Sequence, residues 1–303
     1  MLNIDRLTKR YGTVAAVDGL TFEVGPGRVT GFLGPNGAGK TTTLRMLLGL
    51  AAPTSGTATI NGVRYRDLPN PVRTVGAALD NDCFHPGRSA AEHLRIMATA
   101  AGISRRRVAQ VLDIVGLTEA GHRRVGTYSL GMRQRLTLAT TLLGDPSVLI
   151  LDEPLNGLDP DGIRWMRDLL RHLAGEGRTV LVSSHLLAEA AQTVDDVVVI
   201  NHGKLAAEGP VAQLTAATST TRIRTPDAER LMSALARQGI TAQLMAAGTV
   251  EVRGADPDRV ARIAAAASVV VLELTRHTEN LEELFFDLTS DHADDRVMEA
   301  CSS

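Results

Sequence analysis

Cysteine is scarce: Cys83 and Cys301 are the only two in 303 residues. Two thiols so far apart make neither a disulfide framework nor a zinc-ligand cluster, and both are expected to be free. Long hydrophobic runs are missing too. The longest apolar stretch, Ala264 to Leu272, falls well short of the ~20 residues needed to cross roughly 30 Å of hydrocarbon, so any membrane role requires a partner. The N-terminus, MLNIDRLTKRYG, carries charges where a secretory leader needs an apolar core, which makes the cytosol the expected location. Neither sign of charge is in excess. With 32 basic and 34 acidic residues the net charge is −2, which lacks the footprint of a chain that binds nucleic acid through its phosphates. No internal repeat recurs at a fixed period. What remains is an ordinary globular composition, long enough for one large domain and a smaller one.

Residues 1–25 alternate short apolar segments with turn residues, which suits antiparallel strands. From Arg28 onward, strand-like runs at Val29–Leu33, Val148–Leu151, Thr179–Ser183 and Val197–Ile200 are separated by longer segments of helical spacing, the pattern of a parallel sheet covered by helices. The stretch Gln213–Thr221, rich in Ala, Thr and Ser, reads as a linker and places the expected domain division at 1–215 and 216–303. Beyond it the sequence predicts a strand at Thr221–Thr225, a helix at Asp227–Gln238, strands at Thr241–Met245 and Thr249–Arg253, a helix at Pro257–Ala267 and a strand at Val269–Thr275. That β-α-β-β-α-β order is ferredoxin-like, an α+β accessory domain. A final amphipathic helix is predicted at Asn280–Leu288, with Leu281, Leu284, Phe285 and Leu288 on one face.

Three motifs carry the chemistry. Gly34, Pro35, Asn36, Gly37, Ala38, Gly39, Lys40 and Thr41 fit G-x-x-x-x-G-K-[ST] directly after the apolar strand Val29–Leu33. Such a loop wraps a phosphate with backbone N–H groups, and the helix starting at Lys40 aims its positive end at the same point. Lys40 is placed to reach the β- and γ-phosphates and Thr41 to hold Mg²⁺; Thr42 is next in line as a further nucleotide contact. The second motif, Val148-Leu-Ile-Leu151-Asp152-Glu153-Pro154, puts two carboxylates at the end of a buried strand, the edge where ligands collect in α/β sheets. Asp152 is the candidate Mg²⁺ ligand through water, and Glu153 the candidate general base for the attacking water. Third comes Tyr128-Ser129-Leu130-Gly131-Met132-Arg133-Gln134-Arg135-Leu136, which on its own would be a serine-capped helix start.

With these three motifs in this order, the chain resembles the ATP-binding cassette (ABC) ATPases over residues 1 to about 210. The resemblance implies a P-loop α/β cassette with an antiparallel β annex and a helical signature subdomain. It also implies that Ser129 and Gly131 hold the γ-phosphate of ATP bound to the opposite subunit. His185, in Ser183-Ser-His185, takes the place of the switch histidine that contacts the γ-phosphate and keeps the water and Glu153 aligned. Tyr11 matches the aromatic that stacks on adenine, and Leu155-Asn-Gly-Leu-Asp159-Pro160 looks like the D-loop. ATP and Mg²⁺ are the implied ligands. The implied partners are a second copy of the chain and a separate transmembrane permease, docking near Asn81–Gly102, with the assembly on the inner face of the cell membrane.

Two departures stand out. Where the family usually has a Q-loop glutamine, this chain has Asp80, an acidic candidate metal ligand that brings a charge glutamine lacks. The signature reads Ser-Leu-Gly-Met-Arg in place of Ser-Gly-Gly-Gln. Both features, and the ending Leu281-Glu-Glu-Leu-Phe-Phe, look like the drug and antibiotic exporter branch. The competing class is a non-transport cassette ATPase acting on ribosomes or DNA. Such proteins usually carry two cassettes in one chain or coiled-coil arms, and this chain has neither.

Overall fold

The computed structural model describes residues 1–79, 84–185, 192–217, 220–245, 248–253 and 255–277. The chain divides into two compact units, Met1–Glu208 and Gly209–Ser303.

In the first unit the described elements are, in chain order, β1 (Leu2–Tyr11), β2 (Val14–Val24), β3 (Val29–Leu33), α1 (Lys40–Leu47), β4 (Ser55–Ile60), α2 (Pro71–Thr74), β5 (Val75–Ala78), α3 (Ala90–Ala100), α4 (Arg105–Ile114), α5 (Leu130–Thr141), β6 (Val148–Leu151), α6 (Pro160–Gly175), β7 (Thr179–Ser184), β8 (Asp196–Asn201) and β9 (Lys204–Pro210). Strands β2-β1-β4 form an antiparallel annex, and β5-β6-β7-β3-β8-β9 form the main sheet. β3 and β6 are buried at every residue. That is why β6 reads as an unbroken apolar run, and why β3 carries only the small Thr30 and Gly31 among its apolar residues: helices cover both faces of a parallel sheet. The two sheets share one core, in which Phe22 of the annex stacks on Phe32 of β3 with ring centroids 5.3 Å apart.

Parallel register aligns the carboxyl ends that matter. Leu33 pairs with Ser184 and Leu151 with Val182, so the residues after β3 and β6 emerge level with Ser183–His185. α3, α4 and α5 pack on one another as a helical subdomain, each started by a serine. Ser89 makes a reciprocal capping box with Glu92, and Ser104 and Ser129 cap the next two helices. None of the described helices is long and apolar enough to cross a membrane.

The second unit contains α7 (Val211–Ala217), β10 (Thr220–Arg224), α8 (Ala228–Arg237), β11 (Ala242–Leu244), β12 (Thr249–Arg253), α9 (Pro257–Ala266) and β13 (Glu273–His277). Its sheet runs β11-β12-β10-β13, antiparallel throughout, with the β-α-β-β-α-β order expected. Ile223, Val250 and Val252 meet Leu231, Leu235, Val260 and Ala264 of the two helices in a separate core.

Two expectations need correction. The supposed linker is helical through Ala217, because alanine and leucine favour a helix wherever glycine and proline are missing. The last strand begins at Glu273 and not at Val269. Val269 is buried, but Val270 to Leu272 run past Arg224, where β10 ends, and a strand needs a partner as well as apolar residues. The predicted helix Asn280–Leu288 lies outside the described residues.

Candidate functional site

The loop at 34–41 is built where bulk is not allowed. A Cβ on Gly34 would lie 2.6 Å from the Ile200 carbonyl oxygen, and one on Gly39 would lie 2.4 Å from that of Ala16. Gly39 also sits at φ +105, as the residue before α1, and offers that helix no side-chain cap. The first backbone N–H groups of α1 are thereby left for an outside acceptor.

Lys40 is buried, and its ammonium donates to the carbonyls of Gly34 (2.7 Å) and Pro35 (3.4 Å) while lying 3.6 Å from Glu153 Oε1. Burial pushes the lysine below its ordinary pKa, against the opposing pull of Glu153 and Asp152. A cation so desolvated, with acceptors mostly from its own loop, suits an incoming anion. Beside it the Thr41 hydroxyl donates to Asp152 Oδ2 at 2.8 Å. Asp152 is buried, its backbone N–H bound to Ala78 O, and its Oδ1 accepts a short hydrogen bond from the Ser183 hydroxyl.

Glu153 adopts φ +50, a left-handed conformation that costs a non-glycine residue on the order of 1–3 kcal/mol. The turn aims its carboxylate at two groups: Lys40, and His185, whose Nδ1 lies 2.9 Å from Oε2. The Ser183 hydroxyl accepts from the Glu153 backbone N–H at 3.0 Å and so locks the turn. Ser183 thus ties the two carboxylate residues together, a role that sequence reasoning missed. Its only signal was a polar residue at the end of a wholly buried strand.

Other expected residues lie elsewhere. Tyr11 is exposed at the end of β1, with the Lys9 ammonium 5.0 Å from its ring centroid. It belongs to the hairpin whose second strand passes Gly39 at Ala16. Ser129 accepts a hydrogen bond from the Met132 N–H at 3.3 Å, and Gly131 abuts Leu158. Gln134 donates to Asn156 O, and Leu130 leans over Gly157. The start of α5 is therefore seated on residues 156–158 and is not brought to the loop of its own chain. Arg135 anchors the helix further along, with its guanidinium 3.9 Å from the centre of the Trp165 ring. Asp80 lies outside the described residues.

A glycine-rich cradle, a buried lysine, a hydroxyl beside a carboxylate and a second carboxylate paired with histidine are together an arrangement that suits a polyphosphate and its hydrolysis. No cluster of three or more His, Cys, Asp or Glu able to hold a metal occurs among the described residues. Thr41 and Asp152 fit an ion that keeps waters and phosphate oxygens as its other ligands, as Mg²⁺ does.

Between the first unit's core and α3 lies an apolar groove of about 400 Å³, lined among others by Leu50, Tyr65, Phe84, His93 and Met97. Its His93 packs edge-on against Phe84 and has a buried Nε2 without a hydrogen-bond partner among the described residues.

A family profile described as ABC transporter matches residues 17–156, and one described as a domain of unknown function matches 219–282. The bacitracin transport ATP-binding protein of Bacillus licheniformis is 47% identical over 211 residues, 69% of each chain. The daunorubicin/doxorubicin resistance ATP-binding protein of Streptomyces peucetius is 38% identical over 310 residues, 97% of this chain and 93% of the relative. A solved ATP-binding subunit of an ABC transporter superposes with a TM-score of 0.63 at 26% identity, over 87% of this chain and 99% of that one. The chain belongs to the ABC transporter family, as one of its ATP-binding and ATP-hydrolysing subunits.

Proposed function

We propose that this chain is the motor of an exporter, working as a homodimer on the inner face of the cell membrane beneath a separate transmembrane permease. The observation that carries the motor reading is the convergence of Lys40, Thr41, Asp152, Glu153 and His185 at the carboxyl edge of one parallel sheet. The export reading rests on relatives whose names state bacitracin transport and daunorubicin/doxorubicin resistance.

In this reading, the loop 34–41 with Thr42 receives the phosphates of ATP, and Lys40 exchanges its carbonyl partners for phosphate oxygens. Tyr11 offers its exposed ring to adenine. Thr41, Asp152 and Asp80 hold Mg²⁺, which when bound neutralises charge on the phosphates. Glu153 takes a proton from the attacking water, and His185 holds that carboxylate in place. Ser129, which caps α5 away from its own loop, and Gly131 in the helix's first turn serve the ATP of the second copy. The permease meets the groove beside α3. Residues 1–215 form the ATPase domain and 216–303 an accessory domain.

Phosphate release by the purified chain, measured across protein concentration with Mg²⁺ present and absent, tests the assembly. A rate that needs Mg²⁺ and rises with the square of concentration at low protein is expected. A rate proportional to concentration throughout refutes the shared site.

A further inference from the structure

The groove between α8 and α9 contains none of the residues of the nucleotide motifs. It has a volume of about 720 Å³ and is lined by Ala234, Arg237, Arg259, Arg262, Ile263 and Ala266, among others. The three arginines are exposed. Arg237 and Arg262 donate to backbone carbonyls in their own helices, Ser233 O and Asp258 O. The ion pairs of this unit among the described residues, Arg222–Glu251 and Arg224–Glu273, do not involve them. Those pairs lie on the opposite face of the sheet, because Ile223 and Val250 point into the helix-side core and side chains alternate along a strand.

Strand register explains why the arginines gather. Thr220 pairs with Arg253, so β12 ends beside the start of β10, and α9 begins at that end with Arg259 and Arg262 in its first turns. β11 starts at the same end, since Ala242 pairs with Val252, and α8 must finish nearby to feed it, which brings Arg237 there. β13 also finishes at this end, with His277 paired to Thr220. The chain therefore leaves the sheet at the end where Arg237 and Arg259 lie.

The segment after His277 is the chemical complement of that groove. Residues 278–303 hold eight acidic residues against the single Arg296, and Asn280–Leu288 interleaves Glu282, Glu283 and Asp287 with Leu281, Leu284, Phe285 and Leu288. We propose that the groove is the docking site for the chain's own segment Asn280–Leu288, bound within the same copy. Its leucines and phenylalanine cover Ala234, Ile263 and Ala266, and its carboxylates face Arg237, Arg259 and Arg262. Thr278 and Glu279 give a short tether, at roughly 3.3 Å per extended residue, which suits a site at the same end of the unit. This inference is independent of the nucleotide reading, and its test uses no nucleotide.

Hydrogen exchange measured by mass spectrometry on the full chain decides it. Peptides covering 280–288 are expected to be protected at low salt. The triple variant Arg237→Glu, Arg259→Glu, Arg262→Glu should speed their exchange about tenfold, the combined effect of three rim pairs. Reversing Glu279, Glu282, Glu283 and Asp287 to Lys in that variant should restore protection. Unchanged exchange in β10 and β12 peptides checks that the variants fold, and loss of protection in the unaltered chain toward ~1 M salt checks the charge term without any mutation. Absence of protection in the unaltered chain overturns the proposal, as does protection indifferent both to salt and to the arginine reversals. Protection that grows with protein concentration places the segment on a second copy and overturns docking within one chain.

Discussion

Replacing Glu153 by Gln separates binding from hydrolysis. The substitution keeps Cβ and shape, so the strained φ of +50 and its lock by Ser183 are preserved, whereas Ala would remove the side chain and Gly would relax the backbone. Two interactions change. The carboxylate 3.6 Å from the Lys40 ammonium becomes neutral, and the acceptor 2.9 Å from His185 Nδ1 becomes an amide. Charges about 4 Å apart at an effective dielectric near 20 interact by roughly 4 kcal/mol, much of it returned by water at a partly exposed pair. Lys40 loses that attraction, and a bound γ-phosphate escapes the matching repulsion from Glu153, so ATP affinity should hold or rise by up to about tenfold. The amide cannot accept the proton of the attacking water, and hydrolysis should fall roughly 10²–10⁴-fold. Steady-state phosphate release gives the rate and calorimetric titration with ATP the affinity, while sedimentation with ATP should show an accumulated dimer. Hydrolysis within a few-fold of the parent at equal ATP occupancy would falsify the assignment of Glu153 as base.

Lys40→Ala should weaken ATP binding at least about tenfold, since a desolvated cation otherwise contributes to every phosphate contact; an unaltered Kd sinks that role. Gly39→Ala and Gly37→Ala make a matched pair. The former puts a methyl 2.4 Å from Ala16 O at φ +105 and should cost more than about 2 kcal/mol in urea unfolding, while the latter meets open space at φ +84 and should cost about 1 kcal/mol, so equal losses refute the steric argument. Burial, and next Arg88, hold His93 below the ordinary imidazole pKa of 6.5, so the unfolded chain takes up the proton first. Stability is then full above pH 6.5 and falls as pH drops through the lower folded value. His93→Gln should flatten that part of the slope in urea midpoints, and an unchanged slope removes His93 as its source. Asp80→Gln should raise the Mg²⁺ needed for half-maximal hydrolysis by withdrawing a negative ligand; superimposable titrations would exclude ligation there.

Sequence alone was enough to place the core strands of the main sheet, because helices on both faces force unbroken apolar runs such as Val148–Leu151. The loop at 34–41 was equally legible, since Gly34 and Gly39 are required by close backbone contacts at fixed spacing. Illegible were features that depend on what lies across a gap in sequence. Ser183 matters because parallel register carries it to Asp152, 31 positions away. The left-handed turn at Glu153 left no trace in residue type, and neither did the arginine groove, whose members come from two helices with a strand pair between them. Where apolar content was read without asking for a partner strand, as at Val270–Leu272, the boundary slipped.

The seat of α5 on residues 156–158 has a mechanical meaning. Glu153 and the stretch that carries Gln134's acceptor belong to one short loop, with three residues between the carboxylate and Gly157. A shift of that loop would press on Leu130 and Gln134, and through them on the serine that caps the helix. In the proposed two-copy arrangement that serine serves the other nucleotide. Under that proposal, news of hydrolysis at one pocket would reach the opposite pocket through a few packed side chains.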